Sequence, residues 1–206
     1  MVKTKVAVLV SGGGTNLQAI IDAQQSGKIS SGEIVLVVSS SPKAYALERA
    51  AKAGIPTFVA SKKELGSQQA FEEAILNALE SNGVELIVLA GFMSILSADF
   101  TKRYPERIIN VHPSLIPSFC GAGFYGLKVH DAALAYGVKV TGATVHFVNE
   151  IPDGGKIIFQ KAVAIEEGDT PEILQKRVME QAEWHLLPAA VQKVSEEIMK
   201  LKEKRK

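Results

Sequence analysis

The sequence predicts an α/β fold in which a mostly parallel central sheet carries helices on both faces and extends into antiparallel strands towards the C-terminus. In the first half, short continuous apolar runs alternate with stretches of helical periodicity, which is the pattern of buried parallel strands joined by helices. In the second half, two segments flank a Pro-Asp-Gly-Gly turn, which is typical of an antiparallel strand pair.

Three apolar runs are the predicted parallel strands. Residues 6–10 (VAVLV) lie between a lysine and a Ser-Gly-Gly-Gly turn, and similar runs recur at 34–38 and 86–90. Continuous β-branched runs of this kind are typical of strands buried on both faces. Apolar residues at helical spacing predict the intervening helices at 16–25, 44–53 and 70–82.

The second half continues with a strand over 108–112, which Pro113 ends. The glycine-rich stretch 118–129 predicts a long loop, and long loops in compact domains are usually functional. Segments 139–148 and 156–165 then predict the antiparallel extension.

The last predicted element is a helix that begins at Thr170-Pro171-Glu172. Thr170 offers a capping hydroxyl, and proline is favoured at the first helical position. We expect this helix to kink or break at Pro188, because a proline removes one hydrogen bond of the helix.

Composition limits the possible functions. With 206 residues, 47% of them hydrophobic, the chain fits one domain over 1–206. A net charge of +1 provides no long-range attraction, so we expect neither nucleic acid nor membrane as a partner. A lone cysteine, Cys120, suits a reducing compartment, and the N-terminal apolar run is too short for a secretion signal, so we expect a cytoplasmic protein.

The turn over residues 11–16 (SGGGTN) is a candidate phosphate site. It lies between a buried strand and a helix, so its amides and the helix dipole can face an anion. It matches neither the dinucleotide fingerprint nor the nucleoside-triphosphate loop, since no lysine follows the glycines. A tight turn with no ligand remains the alternative interpretation.

Asn110 and His112 are the candidate chemical pair. Their spacing places both side chains on one face at the C-terminal end of a strand, where open α/β sheets bind ligands. An amide donor beside an imidazole suits acyl transfer to an amine, because both can stabilise an oxyanion and the imidazole can pass a proton. A structural histidine remains the alternative.

The other candidates carry less information. Asp153 lies in the Pro-Asp-Gly-Gly turn, where aspartate is an ordinary turn former. His130, His146 and His185 show no spacing typical of zinc ligands, and His146 alternates onto the strand face opposite its apolar neighbours. We therefore predict no metal site.

Taken in order, the motifs SGGGTNLQAI, LAGFMSIL, INVHPSLIPSF and TGATVHFVNEIPDGGKII resemble the folate-dependent formyltransferases over nearly the whole chain. HPSLIP is shared across that superfamily, and the N-terminal turn and the length resemble the glycinamide ribonucleotide formyltransferase family. The resemblance implies a Rossmann-like formyltransferase fold. It also implies transfer of the formyl group of 10-formyltetrahydrofolate, a co-substrate, to the amine of N1-(5-phospho-D-ribosyl)glycinamide in purine biosynthesis, by a monomer or homodimer without a metal.

The resemblance also assigns roles to residues. Asn110, His112 and Asp153 are the implied catalytic residues, with Asp153 orienting His112 and favouring its protonated form. The implied substrate-binding residues are Gly14, Thr15, Asn16, Leu17, Gln18, Glu180, Gln181 and Glu183. The implied folate-binding residues are Gln68, Met93, Ser94, Ile95, Leu96, Asn110, Asn149, Glu150, Ile151, Pro152 and Asp153.

Two positions depart from that family pattern. Ser94 stands where many family members carry arginine, and Gln68 stands where some of them do, which predicts weaker binding of the folate glutamate. Two rival functions stay open at this point: a formyltransferase acting on another amine, such as that of a sugar nucleotide, and a non-catalytic folate- or nucleotide-binding module.

Overall fold

The computed structural model describes residues 2–204. Met1, Arg205 and Lys206, which belong to the predicted domain of residues 1–206, lie outside the described residues. The elements, in chain order, are β1 (Thr4–Val10), α1 (Thr15–Gln25), β2 (Gly32–Ser39), α2 (Ala46–Lys52), β3 (Thr57–Val59), α3 (Lys62–Leu65), α4 (Gln68–Ser81), β4 (Leu86–Leu89), α5 (Ala98–Arg103), β5 (Ile108–His112), α6 (Leu127–Tyr136), β6 (Val140–Phe147), β7 (Ile157–Ala164), α7 (Pro171–Val178), a π-helical turn (Met179–Glu183) and α8 (Trp184–Glu203).

The strands form one seven-stranded sheet in the order β3-β2-β1-β4-β5-β6-β7. Pairs within β1 to β5 are parallel, whereas β6 is antiparallel to β5 and β7 is antiparallel to β6. The predicted α/β architecture, with its antiparallel C-terminal extension, is confirmed. The chain builds outwards from β1 to β3 and then returns to place β4 on the other side of β1. This reversal opens a crevice between β1 and β4 at the carboxyl ends of the strands.

Side-chain alternation along β1 distributes the core between both faces of the sheet. Val6, Val8 and Val10 pack into the cluster that includes α1 and α8, whereas Ala7 and Leu9 pack into the cluster that includes α4. Both faces are therefore covered, which explains why β1 reads as one continuous apolar run.

Three short elements were not predicted: β3, α3 and α5. β3 has three residues at the sheet edge, and none of them is fully buried. Such short, partly exposed elements lack the apolar periodicity on which a prediction depends. The predicted loop over 118–129 is shorter than expected, because α6 begins at Leu127.

Of the predicted kink or break at Pro188, the break is wrong, because α8 continues through this residue to Glu203. Pro188 is itself buried, and packing of neighbours such as Leu187 and Val191 offsets the one lost hydrogen bond. Regular α-helical geometry is interrupted one turn earlier, in the π-helical turn, where the Trp184 amide bonds back to the Met179 carbonyl. Among the described residues, no helix combines the length and the apolar composition that crossing a bilayer requires.

Candidate active site

A cavity of about 680 Å³ opens at the carboxyl ends of β1, β4 and β5. This is the crevice created where the chain reverses direction across the sheet. Its volume lies in the range of small-molecule binding sites. The glycine turn, the segment after β4, the end of β5 and the loop before α6 all contribute to its walls.

Asn110, His112 and Asp153 meet at the floor of this cavity. The two-residue spacing on β5 puts Asn110 and His112 on the same face, and the connection between β6 and β7 returns Asp153 to them. His112 Nδ1 lies 3.5 Å from Asp153 Oδ2, and the His112 side chain is almost completely buried. Asp153 has φ of 56°, a left-handed conformation that aspartate tolerates better than most residues.

The loop before α6 holds two of these groups directly. The Phe119 carbonyl lies 2.8 Å from His112 Nε2, and the Gly121 amide donates to Asp153 Oδ2 at 2.8 Å. A carbonyl only accepts, so Nε2 carries a hydrogen, and Nδ1 is the nitrogen that faces Asp153. Phe119 has φ of 49°, which is strained for a bulky side chain. Edge contacts of its ring with Phe124 and Tyr136 fix it against α6.

The surroundings shift the pKa values of both His112 and Asp153. Burial lowers the pKa of His112, while the Phe119 carbonyl and the Asp153 charge oppose that shift. Burial by itself raises the pKa of Asp153. Hydrogen bonds from His146 and the Gly121 amide, together with the charges of the histidines, nevertheless hold the Asp153 pKa below its ordinary value. Asp153 is therefore ionised at neutral pH and can stabilise a proton on His112 Nδ1.

His146 belongs to this cluster, although the sequence analysis did not select it. Its Nε2 lies 3.5 Å from Asp153 Oδ1 and 3.3 Å from Asn110 Nδ2, and its Nδ1 lies 2.8 Å from the Phe147 carbonyl. With a hydrogen on Nδ1 alone, Nε2 accepts from the Asn110 amide; with a second hydrogen on Nε2, His146 donates to Asp153 instead. The missed signal was the antiparallel pairing of β5 with β6, which places His146 opposite Asn110.

The glycine turn forms another wall of the cavity. Gly14 has φ of 73°, and a Cβ there would lie 2.6 Å from the Ala46 Cβ, so only glycine fits. At Gly12 and Gly13, a Cβ would meet nothing within 4 Å, which leaves bare backbone facing the open cavity. The first amides of α1 have no partner within the helix and point towards this space.

Glu183 and Asn16 connect this wall to the π-helical turn. The Asn16 amide donates to Glu183 Oε2 at 2.7 Å, and Glu183 is 6% exposed. Burial raises the pKa of Glu183 to about 7, while the bond from Asn16 lowers it. The Glu183 carboxyl thus titrates much closer to neutral pH than an ordinary glutamate, and it can accept a hydrogen bond or, when protonated, donate one.

The predicted substrate-binding residues divide into two sets. Four of them line the cavity: Gly14, Thr15, Asn16 and Glu183. Four do not: Leu17 is buried in the core, the Gln18 side chain is bonded to Asp22 and Arg49, and Glu180 and Gln181 lie outside the lining. The cavity also includes Gln175 and Met179, which carried no motif that the sequence analysis could detect.

The predicted folate-binding residues divide in the same way. Those that line the cavity are Met93, Ser94, Ile95, Asn110, Pro152 and Asp153. Leu96 is buried in the core, and Gln68 donates to the Ile95 carbonyl from behind the wall. Asn149, Glu150 and Ile151 lie outside the lining, with the Asn149 side chain accepting from the Ile151 amide.

Residues 121–126 of the loop before α6 also line the cavity, and none of them was a predicted site residue. The sequence predicts a functional loop here but no role for any one of its residues. In the part of the chain that the structure describes, no group of three or more histidine, cysteine or acidic side chains could hold a metal ion.

Comparisons with known proteins show which family this chain resembles in sequence and fold. Residues 4–191 match the family model described as formyl transferase. The phosphoribosylglycinamide formyltransferase of Haemophilus influenzae is 42% identical, over 97% of this chain and 91% of that protein. The structure of glycinamide ribonucleotide transformylase 1 from Symbiobacterium toebii superposes with a TM-score of 0.88 at 41% identity, covering 94% of this chain and 88% of that one.

A trifunctional purine biosynthetic protein, adenosine-3 of Gallus gallus, is 51% identical over 94% of this chain. The chain spans only 18% of that protein's length. The similarity therefore covers one segment of the trifunctional protein, and only that segment is comparable with this chain.

Proposed function

The chain belongs to the formyl transferase family, and on that premise we propose that it transfers the formyl group of 10-formyltetrahydrofolate to the amine of N1-(5-phospho-D-ribosyl)glycinamide in purine biosynthesis. The observation that carries the proposal is the cluster of Asn110, His112 and Asp153 at the floor of a cavity whose opposite wall is a glycine turn. One end of the cavity suits a phosphate, and the other suits acyl transfer.

The glycine turn is the proposed phosphate site. Among the described residues, no lysine or arginine lines the cavity, so backbone amides at the start of α1 provide the attraction. The bare backbone of Gly12 and Gly13 allows close approach of phosphate oxygens. From there the ribonucleotide extends past Asn16 and Glu183, and the neutral or ionised Glu183 carboxyl hydrogen-bonds its polar groups.

The co-substrate occupies the side formed by the segment after β4. Met93 and Ile95 are 56% and 71% exposed, which is unusual for apolar side chains unless a ligand covers them. Their surface suits the flat, partly apolar folate ring system. Pro152 and Asp153 close the same side and bring the formyl group next to Asn110.

Chemistry proceeds by direct attack of the substrate amine on the formyl carbon. A carbon–nitrogen bond forms and the carbonyl oxygen becomes an oxyanion, which a hydrogen bond from the Asn110 amide and the nearby positive charge of protonated His112 stabilise. The bond to the folate nitrogen then breaks, and the proton lost by the amine is returned to that nitrogen. The Asp153 carboxylate stabilises the positive charge of protonated His112 throughout the reaction. No covalent enzyme intermediate is needed.

The decisive test is an assay with purified protein, 10-formyltetrahydrofolate and glycinamide ribonucleotide, following the folate absorbance with the amine present and absent. Amine-dependent loss of the formyl group is the expected result. Loss without amine indicates a hydrolase. If glycinamide ribonucleotide is inert while a sugar-nucleotide amine is formylated, the proposed substrate is wrong. Absence of any reaction with either amine contradicts catalysis.

We also infer that the protein acts on small molecules as a monomer or homodimer, and that it acts in the cytoplasm. The lone cysteine supports a reducing compartment, while the Arabidopsis thaliana relative is named as chloroplastic.

A further inference from the structure

One wall of the cavity is held from behind by a buried carboxylate. Glu72, on α4, is 7% exposed and takes no part in the cluster of Asn110, His112 and Asp153. It accepts hydrogen bonds from the Ser97 amide at 2.6 Å, the Ser97 hydroxyl at 2.5 Å and the Gln68 side chain at 2.6 Å. All three donors are neutral, and the described part of the chain provides no ion pair to Glu72.

A buried carboxylate without a cation is costly, so its hydrogen bonds must compensate for the lost hydration. Charge-assisted hydrogen bonds are shorter and stronger than neutral ones, and one carboxylate can accept several of them at once. Two of the three bonds to Glu72 come from Ser97, which ends the segment from Phe92 to Ser97, and the third comes from Gln68, which also bonds to that segment. The carboxylate therefore fixes that segment more firmly than a neutral amide could.

The segment is fixed at both ends. Gln68, one turn before Glu72 on α4, donates to the Ile95 carbonyl at 3.1 Å, and the Met93 amide donates to the Ser11 hydroxyl at 2.9 Å. Phe92 stacks on Phe71 of α4 with ring centroids 6.3 Å apart. The apolar side chains that the segment presents to the cavity thus depend on contacts made from the far side.

We propose that Glu72 is a positioning residue that sets the affinity for the folate co-substrate, by holding residues 93–97 in the conformation that forms the folate-facing wall. Gln68 acts with it as a brace and does not contact the ligand. The inference rests on the proposed function for the identity of the ligand. Neither residue takes part in formyl transfer, so affinity and turnover respond differently to their loss.

The test compares Glu72→Gln with Glu73→Gln, which removes the same charge from the next residue of α4, where the side chain is exposed. We expect Glu72→Gln to raise the KM for 10-formyltetrahydrofolate about tenfold, with kcat and the KM for glycinamide ribonucleotide within about twofold of wild type. Tenfold corresponds to about 1.4 kcal/mol. Glu73→Gln is expected to match wild type in all three constants.

A binding measurement separates this inference from the proposed function. Calorimetric titration with tetrahydrofolate, the product, needs no turnover, and we expect Glu72→Gln to weaken its Kd about tenfold. If wild type binds tetrahydrofolate but Glu72→Gln and Glu73→Gln bind equally well, the inference is wrong and the function stands. If wild type binds no tetrahydrofolate, both are wrong.

Gln68→Ala is the milder variant, to be used where Glu72→Gln does not fold. It removes only the bonds to Ile95 and Glu72, and we expect a threefold weaker Kd for tetrahydrofolate with unchanged kcat. Unchanged affinity, or a fall in kcat with unchanged affinity, overturns the positioning role.

Discussion

His112 and Asp153 lie 3.5 Å apart, Nδ1 to Oδ2, which is ion-pair range but too long for a strong hydrogen bond. The Gly121 amide already occupies Oδ2, and the Phe119 carbonyl occupies the other nitrogen of His112. The pair is thus held in place by the loop before α6, and its interaction strengthens when His112 takes up a proton.

Asp153→Asn removes the charge that stabilises protonated His112. Because proton transfer by a positioned group contributes about 10² to 10⁴ in rate, we expect kcat to fall at least a hundredfold while both KM values change little. Steady-state kinetics measures this. Asp131→Asn, an exposed change on α6, serves as the control and is expected to retain wild-type rates.

His112→Ala tests catalysis against simple binding. We expect kcat to fall by several orders of magnitude with tetrahydrofolate affinity retained, since the side chain acts on the reacting atoms. His185→Ala, on the exposed side of α8, is the control. Full transfer activity in His112→Ala contradicts the mechanism and favours a binding module.

His146→Phe tests whether His146 orients the Asn110 amide. Without the acceptor at Nε2, 3.3 Å from Asn110 Nδ2, the amide loses its orientation, and we expect kcat to fall by up to about a hundredfold. His146→Gln keeps an acceptor and is expected to retain more activity. Equal losses in the two variants indicate a role in packing instead.

Glycine substitutions in the turn separate folding from binding. Gly14→Ala places a Cβ 2.6 Å from Ala46 at positive φ, so we expect a loss of roughly 1 to 3 kcal/mol in unfolding free energy. Gly12→Ala meets no protein atom, so its melting temperature stays unchanged while the KM for glycinamide ribonucleotide rises. Thermal melts and steady-state kinetics on both variants check this. The discriminating result is a raised KM for glycinamide ribonucleotide in Gly12→Ala without any change in its melting temperature.

His130 makes stability depend on pH. It is fully buried on α6, and neither ring nitrogen has a partner among the described residues. Burial lowers its pKa from 6.5 to about 4, a difference of roughly 3 kcal/mol. As the pH falls, His130 takes up a proton in the unfolded chain before it does so in the folded protein. The free energy of unfolding is therefore highest above pH 6.5, declines between pH 6.5 and pH 4, and has lost the His130 contribution near pH 4.

The measurement is urea unfolding of wild type and His130→Leu at pH 7 and pH 5. We expect wild type to lose more stability than the variant on going to pH 5. Glu183, with its pKa raised to about 7, contributes with the opposite sign, since its burial destabilises the fold increasingly as the pH rises from 4.5 to 7. That contribution is common to both proteins and cancels in the comparison. If both proteins lose the same free energy of unfolding between pH 7 and pH 5, the assignment to His130 is wrong.

The sequence by itself determined every strand of the sheet except β3, most of the helices and the position of the Asn110–His112 pair. Runs such as residues 6–10 must lie between two covered faces, because nothing in them can face water. The spacing of Asn110 and His112 places them together whatever surrounds the strand. Local rules also predicted the Thr170 cap, whose hydroxyl accepts from the Ile173 amide.

Only the tertiary structure decided which distant residues complete the site. His146 joins Asn110 through strand pairing, Phe119 reaches His112 through a strained loop, and Glu72 holds a wall of the cavity from the opposite side of the segment after β4. Local rules also predicted a possible helix break at Pro188, where burial of the residue outweighs a lost hydrogen bond and the helix continues. Such contacts depend on which surfaces the folded chain brings together. The packing of the whole core decides that, and no local sequence pattern shows it.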